Sequence, residues 1–266
     1  MFESLPDAMT QITVRSSLDG SMEKNLLYLP DHPCGESVPL LVGLHSWSRD
    51  RSNHIAMMLP HAQERGWALL LPEFRGPNLD TNPRALETAG STLAKQDVVD
   101  AIEYVGEHHR IDRSKIFLVG GSGGGHMSLM MASYRPDLFA AISSWCPITD
   151  LAAWHAEGKY LPHIIAVCGG NPGDSMEVDA RYRDKSPMSH LSKIARANLC
   201  VHHGRHDPTV PYTHTVKFAQ ALEALHPEHF YFEVFDGGHD LHGERAMQWF
   251  DRHLHANDEK ASALTG

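Results

Sequence analysis

The stretch IFLVGGSGGGHMSLMMASY, residues 116–134, decides the fold. Ile116 to Val119 is a short unbroken apolar run, the pattern of a strand buried on both faces of a parallel sheet. It breaks into Gly120-Gly121-Ser122-Gly123-Gly124-Gly125 and resumes as a helix through Tyr134, stopped by Pro136. Gly120 to Gly124 fits G-x-S-x-G in the strand–turn–helix context that this motif requires. A serine on so sharp a turn has a strained backbone, and small neighbours let the helix approach the strand. The free N–H groups of the helix start then lie beside the hydroxyl, where they favour a developing oxyanion. A Gly-rich turn that binds phosphate is the alternative. The stretch has neither the Lys of a P-loop nor the spacing G-x-G-x-x-G.

Outward from this turn, strands alternate with helices. Upstream, QITVRSSLDGSMEKNLLYLP (residues 11–30) predicts two strands around a turn at Asp19-Gly20. Val38 to Leu44 is a second buried run, ending at His45; a helix follows across Asn53 to Arg65, then a strand from Trp67 to Leu71. Residues 91–109 place Leu93, Val98, Val99, Ile102 and Val105 at helical spacing. Downstream, Phe139–Trp145, Leu199–His203 and Phe230–Phe235 read as strands, Tyr212–Leu225 and Leu241–His255 as helices. Residues 148–197 hold GKYLP, CGGNPGDS and DKSPMS, and predict an irregular insertion over one end of the sheet. The tail from Asn257 predicts fraying. The whole is a single α/β domain: a mostly parallel central sheet with helices on both faces. Its chemistry belongs beyond the carboxyl ends of the strands.

A serine hydroxyl is a poor nucleophile until a base takes its proton, and the base must be oriented by an acid. After Ser122 the chain offers both at strand ends. Asp207 follows the strand Leu199–His203, and His239 follows Phe230–Phe235 on a Gly-rich loop. Asp207 could instead cap the turn before Pro208. Asp236 and Asp240 are rival acids, but both lie too close to His239 in sequence to be favoured.

These segments resemble the α/β-hydrolase superfamily, specifically its prolyl-oligopeptidase and esterase type. HHGRHDPTVPY (202–212) is similar to the signature HG-x-x-D-x-x-VP around the acid, and FDGGHDL (235–241) to the GGH signature around the base. SPMSHLSKI (186–194) resembles the segment leading into the acid-bearing strand, and DRSKIFLVGGSGGGHMS (112–128) the nucleophile region. The resemblance runs over residues 10–255 and implies a triad of Ser122, Asp207 and His239. It also implies an oxyanion hole from the Gly123 N–H and one N–H after His45. Relatives have HG-x there; Ser46 replaces the Gly, which leaves the donor open between Ser46 and Trp47. The insertion, in this fold, covers the site and shapes the substrate pocket. Trp47, Trp145, Trp154 and Tyr160 are therefore the expected substrate-binding residues, suited to an aromatic acyl group or a sugar ring, with ordinary packing as the alternative.

The remaining features narrow the class. With 266 residues and a net charge of -10, the chain lacks the basic stripe that a nucleic-acid partner needs. No run of about 18 apolar residues suggests a membrane span. MFESLPDAMT carries no export signal, so a cytoplasmic location is expected. Cys34, Cys146, Cys168 and Cys200 form no CxxC pair; reduced thiols are the expectation, and one disulfide remains open. Among 20 histidines there is no HExxH, and His202 and His203 adjoin on a strand and face opposite ways, so no metal is expected. His126, one helical turn after Ser122, reads as a packed helix residue, and Arg75-Gly76 and Asp97 as structural. The expected activity is cofactor-free hydrolysis of small-molecule or carbohydrate carboxylic esters, such as acetyl or feruloyl esters, through an acyl-enzyme. A peptidase of prolyl-oligopeptidase type without a propeller is second, since only about 110 residues precede the nucleophile strand. A non-catalytic binding protein on the same scaffold is the third expectation.

Overall fold

The structure, a computed structural model, describes residues 5–31 and 35–254; Cys34, His255 and the tail from Asn257 lie outside them. Eight strands form one sheet: β1 (Thr10–Arg15), β2 (Met22–Tyr28), β3 (Val38–Leu44), β4 (Ala68–Pro72), β5 (Ile111–Gly121), β6 (Ala141–Trp145), β7 (Leu199–Gly204) and β8 (Phe230–Phe235). Their order is β1-β2-β4-β3-β5-β6-β7-β8. The β1/β2 and β2/β4 pairs are antiparallel and all others parallel. The helices are α1 (Ile55–Arg65), α2 (Thr92–His108), α3 (Gly123–Tyr134), α4 (Leu151–Ala156), α5 (Leu161–Cys168), α6 (Met176–Asp184), α7 (Leu191–Ile194), α8 (Tyr212–Glu223) and α9 (Gly243–Asp251).

The unbroken apolar runs are buried on both sides because successive side chains face opposite ways. Leu40, Val42, Leu44, Ile116 and Leu118 pack with residues of α2, α3 and α8. Leu41, Phe117 and Val119 pack with residues of α1 and α9. From Gly123 to Ser133, α3 is buried all round, which fixes it at the centre of the molecule. β5 is longer than its apolar core: a register shift lets Ile111 pair with Val38, and Gly120 and Gly121 still pair with Ser144 and Trp145 of β6. The closing helix starts at Gly243, two residues later than the pattern suggested, because Leu241 turns inward against Gly121.

The segment 148–197 is not irregular, and the expectation is corrected here. It is a helical cap of α4, α5 and α6, followed by the short α7. The residues that looked like loop punctuation are helix ends. Asp150 caps α4 by accepting from Ala152 and Ala153 N–H; Ser175 caps α6 by accepting from Val178 N–H. Pro162 sits in the first turn of α5, and Gly169 closes that helix in the left-handed conformation. A small apolar core of its own joins Ile148, Leu151, Trp154, Ile164, Val167 and Tyr182 to Trp47 and Val210 of the main body.

Arg75 and Asp97 take the structural role expected of them. Arg75 is 1% exposed and bidentate to Asp97 (2.5 and 3.0 Å), with Asp19 at 2.6 Å and Glu87 at 3.0 Å. Burial works against the guanidinium, but these carboxylates hold its pKa above the ordinary value. Removing one partner of such a pair strands the other. Arg75→Met is therefore expected to cost about 3–5 kcal/mol in urea unfolding, and exposed Arg113→Met, which removes a surface pair with Glu103, under about 1 kcal/mol.

Candidate active site

Three strand ends at the same sheet edge carry the three expected residues. Ser122 leaves β5 at φ 59°, in the left-handed region, and caps α3. Its N–H donates to the Trp145 carbonyl at 2.8 Å, and Cys146 N–H donates to the His202 carbonyl at 2.8 Å. One strand further, Arg205 N–H donates to Phe235 O and His206 N–H to Gly237 O, both at 2.9 Å. These bonds lace the ends of β5 to β8 together, so the loops bearing Asp207 and His239 are held at the edge where Ser122 turns.

Asp207 has a fully buried carboxylate. Its Oδ1 accepts from Thr209 N–H (2.8 Å) and Val210 N–H (2.9 Å). Its Oδ2 lies 2.6 Å from His239 Nδ1. A carboxylate takes a proton-bearing nitrogen, so Nδ1 carries the hydrogen and leaves Nε2 unprotonated as a base. Burial works to raise the Asp207 pKa, but the hydrogen bonds from His203, His239 and Val210 outweigh it and hold the group well below its ordinary value. The rival acids are occupied elsewhere: Asp236 pairs with His206 at 2.9 Å, and Asp240 accepts from Gly238 N–H at 3.1 Å.

The choice left open after His45 is narrowed by hydrogen bonding. Ser46 N–H already donates to Asn53 Oδ1 at 2.8 Å. Trp47 N lies against Gly123: a Cβ built there would sit 2.3 Å from it. Gly123 N–H, in the first turn of α3, has no intrahelical acceptor. Trp47 N and the start of α3 are thus in backbone contact next to Ser122.

The four aromatic residues do not share one pocket. Trp145 is 0% exposed and lies in the core on the α1/α9 side, stacked on His202 at 3.9 Å and packed against Phe235. Its expected place in the substrate pocket is corrected: as the last residue of β6 it points away from the cap. Trp47 (3% exposed) meets Trp154 (1%) edge-on at 5.0 Å, and Tyr160 (39%) stacks on Trp154 at 5.2 Å. Only Tyr160 of this series presents its ring to solvent.

Comparison with known proteins places the chain. A family model described as the prolyl oligopeptidase family matches residues 59–258. The chain belongs to the prolyl oligopeptidase family. Among curated relatives, acylamino-acid-releasing enzyme 1 of Oryza sativa subsp. japonica is 26% identical over 71% of this chain, and the Homo sapiens acylamino-acid-releasing enzyme 27% identical over 76%. The chain spans only 27% and 28% of those proteins' lengths. Among solved structures, an acylaminoacyl peptidase of Pyrococcus horikoshii superposes with a TM-score of 0.70 at 22% identity, covering 92% of this chain and 40% of the other. Fluorophosphonate-binding serine hydrolase F of Staphylococcus aureus gives 0.71 at 18%, covering 92% and 99%. These superpositions establish the α/β-hydrolase fold.

The prolyl oligopeptidase motifs did not reveal which neighbours hold the acid. His203 lies 3.1 Å from Asp207 Oδ2, and the Cys146 thiol lies close to both. Cys146, His203 and Asp207 are the one group among the described residues compact enough to hold a metal ion. The Asp207 oxygens already have N–H donors, and His203 Nε2 faces two acceptors, so the cluster reads as the shell of the acid. A second thiol–imidazole arrangement lies on the α9 side of β7. Cys200 Sγ is 3.1 Å from His202 Nε2, whose Nδ1 is 3.0 Å from Glu233. Burial pushes Cys200 up to about 12 and His202 down to about 4, the reverse of an activated thiolate. His126 is fully buried with Nε2 on Lys185 O at 2.7 Å, and burial pushes it down to about 4, so it is a packed residue and no second base.

The depressed Asp207 pKa has a definite sign. Its stabilising contribution is complete above the unfolded value of about 3.9 and is lost as pH falls toward the lower folded value. Asp207→Asn is therefore expected to be less stable than wild type at pH 6, with the gap narrowing below about pH 4 in urea unfolding at each pH.

Proposed function

We propose that the protein hydrolyses carboxylic esters of small molecules or carbohydrates through an acyl-enzyme on Ser122. The 2.6 Å contact between His239 and the buried Asp207, at the edge where Ser122 turns, carries this reading. His239 Nε2 takes the Ser122 proton as Oγ attacks the carbonyl. Gly123 and Trp47 N–H groups hold the oxyanion, and α3 adds its positive end. His239 then protonates the leaving alcohol, and water repeats the sequence on the acyl-enzyme. Asp207 keeps the imidazole in the right tautomer and stabilises its cation. No step requires a cofactor.

Tyr160, stacked on Trp154 beside the Trp47 loop, offers a ring face to an aromatic acyl group or a sugar. The second reading is release of N-acylated amino acids from short peptides. It is favoured by the names of the acylamino-acid-releasing relatives, which match most of this chain with about a quarter of their own.

Ser122→Ala is expected to abolish both p-nitrophenyl ester hydrolysis and fluorophosphonate labelling. Wild-type kcat/KM for p-nitrophenyl acetate, butyrate and methyl ferulate, set against N-acetyl-alanine p-nitroanilide, separates the two readings: an anilide preference would sink the esterase. Tyr160→Ala is expected to lose roughly 2- to 10-fold in kcat/KM on methyl ferulate and almost nothing on the acetate, the worth of one stacking contact of about 0.5–1.5 kcal/mol. Equal losses on both substrates would remove Tyr160 from the pocket.

A further inference from the structure

We infer that His203 is a second imidazole of the active site, a positioning residue that holds Asp207 in place and shares its charge with His239. The inference rests on the triad reading above. His203 is the penultimate residue of β7, four residues before Asp207, and its side chain is fully buried. Nε2 lies 2.9 Å from the Val210 carbonyl and 3.1 Å from Asp207 Oδ2. Both are acceptors only, so Nε2 carries a hydrogen. Nδ1 lies 2.7 Å from Oγ1 of Thr215, which is fully buried on α8; in the neutral ring the hydroxyl donates to it. The tautomer is thus fixed from both ends, and the ring ties strand, acid loop and helix together.

Backbone and imidazole groups address different oxygens of the Asp207 carboxylate. Thr209 and Val210 give backbone N–H groups to Oδ1; His239 and His203 both address Oδ2. Besides the base itself, the side chains on the carboxylate are the His203 imidazole and the Cys146 thiol, of which the thiol is the weaker donor. A carboxylate with no access to water needs such donors to remain ionised. By drawing part of the Oδ2 charge, the His203 N–H limits how strongly Asp207 stabilises the His239 cation. Loss of that N–H leaves more of the charge facing His239, which favours its imidazolium. The base would then be neutral only at higher pH. The other ionisable groups nearby are Cys146, kept a neutral thiol by burial that pushes it up to about 12, Asp240 on Gly238 N–H, and the Glu157–His214 pair adjoining Thr215. None changes in the variants below.

The test uses the full chain and the rate of Ser122 labelling by a fluorophosphonate between pH 5 and 9, which needs no knowledge of the substrate. His203→Phe keeps a ring and removes the N–H; His203→Gln places an amide N–H at the Nε2 position. His203→Phe is expected to label roughly tenfold more slowly, with the acid limb moved up by about half a pH unit. His203→Gln is expected to restore the wild-type limb and most of the rate. Thr215→Val, a milder change should His203→Phe not fold, is expected to move the limb in the same direction by a smaller amount. A limb that stays at its wild-type pH in both His203→Phe and Thr215→Val, or that His203→Gln does not restore, would overturn the inference and leave His203 a packing residue. A wild type that labels at Ser122 yet turns over no ester would count against the esterase reading alone, because the labelling comparison stands without it.

Discussion

At Ser122 three segments of backbone meet with no room for a side chain between them. A Cβ on Gly124 would lie 2.1 Å from the Leu44 carbonyl, and one on Gly123 would lie 2.3 Å from Trp47 N. The end of β3, the loop after it and the start of α3 are therefore in direct backbone contact. The left-handed Ser122 costs on the order of 1–3 kcal/mol, and full burial of α3 against the sheet over-determines it. Every other part of the site refers to this contact. It brings the Trp47 backbone against Gly123, and the Ser122 N–H to Trp145 O bond passes the position on to β6.

The acid is fixed by a different means. Among the described residues its carboxylate has no counter-ion of fixed charge; N–H donors from the loop, two imidazoles and the Cys146 thiol surround it. The loop that supplies them is in turn held by the cap. Trp154 Nε1 donates to Thr209 O at 3.3 Å, Lys159 Nζ donates to Pro208 O, and Val210 joins the cap's apolar core beside Trp47. The cap thus touches the loop after β3 and the loop bearing Asp207 at once. A change in its packing reaches both halves of the candidate site without touching Ser122, Asp207 or His239.

The three candidate triad positions stand out in the sequence because each announces itself locally: an apolar run, then a small-residue turn, then a polar group. The sheet was legible for the same reason, since runs buried on both faces have few alternatives. The cap was not. Its Gly, Pro and Ser content is the capping chemistry of short helices, and composition alone does not separate a cap from a break. Trp145 was misplaced by its nearness to the insertion in sequence. Counting by twos along β6, with Ala141 in the α1/α9 cluster and Ile142 in the other, places Trp145 away from the cap. His203 was visible as a strand-end histidine, but its bond to Asp207 depends on how the loop 204–210 folds back, which no spacing encodes.

Buried charge is handled in two ways here, and the difference bears on what can move. Arg75 and Asp97 neutralise each other in a bidentate pair at the base of a turn, a contact that resists any displacement. Among the described residues, Lys185 has no carboxylate partner of that kind. Its ammonium is held by the carbonyls of Leu86 (2.7 Å), Thr88 (2.9 Å) and Val167 (2.8 Å), and burial lowers it to about 8. Asp207 is the mirror case, a carboxylate held by N–H groups. Carbonyls and N–H groups hold an ion only while the backbone presents them in one arrangement, so each ion reports the folding of the segments around it. One of the two lies between cap and body and the other beneath the acid loop. The cap's seat and the ionisation of Asp207 are therefore conditions on the same backbone arrangement, which ties a small helical insertion with a modest apolar core to the candidate site at Ser122.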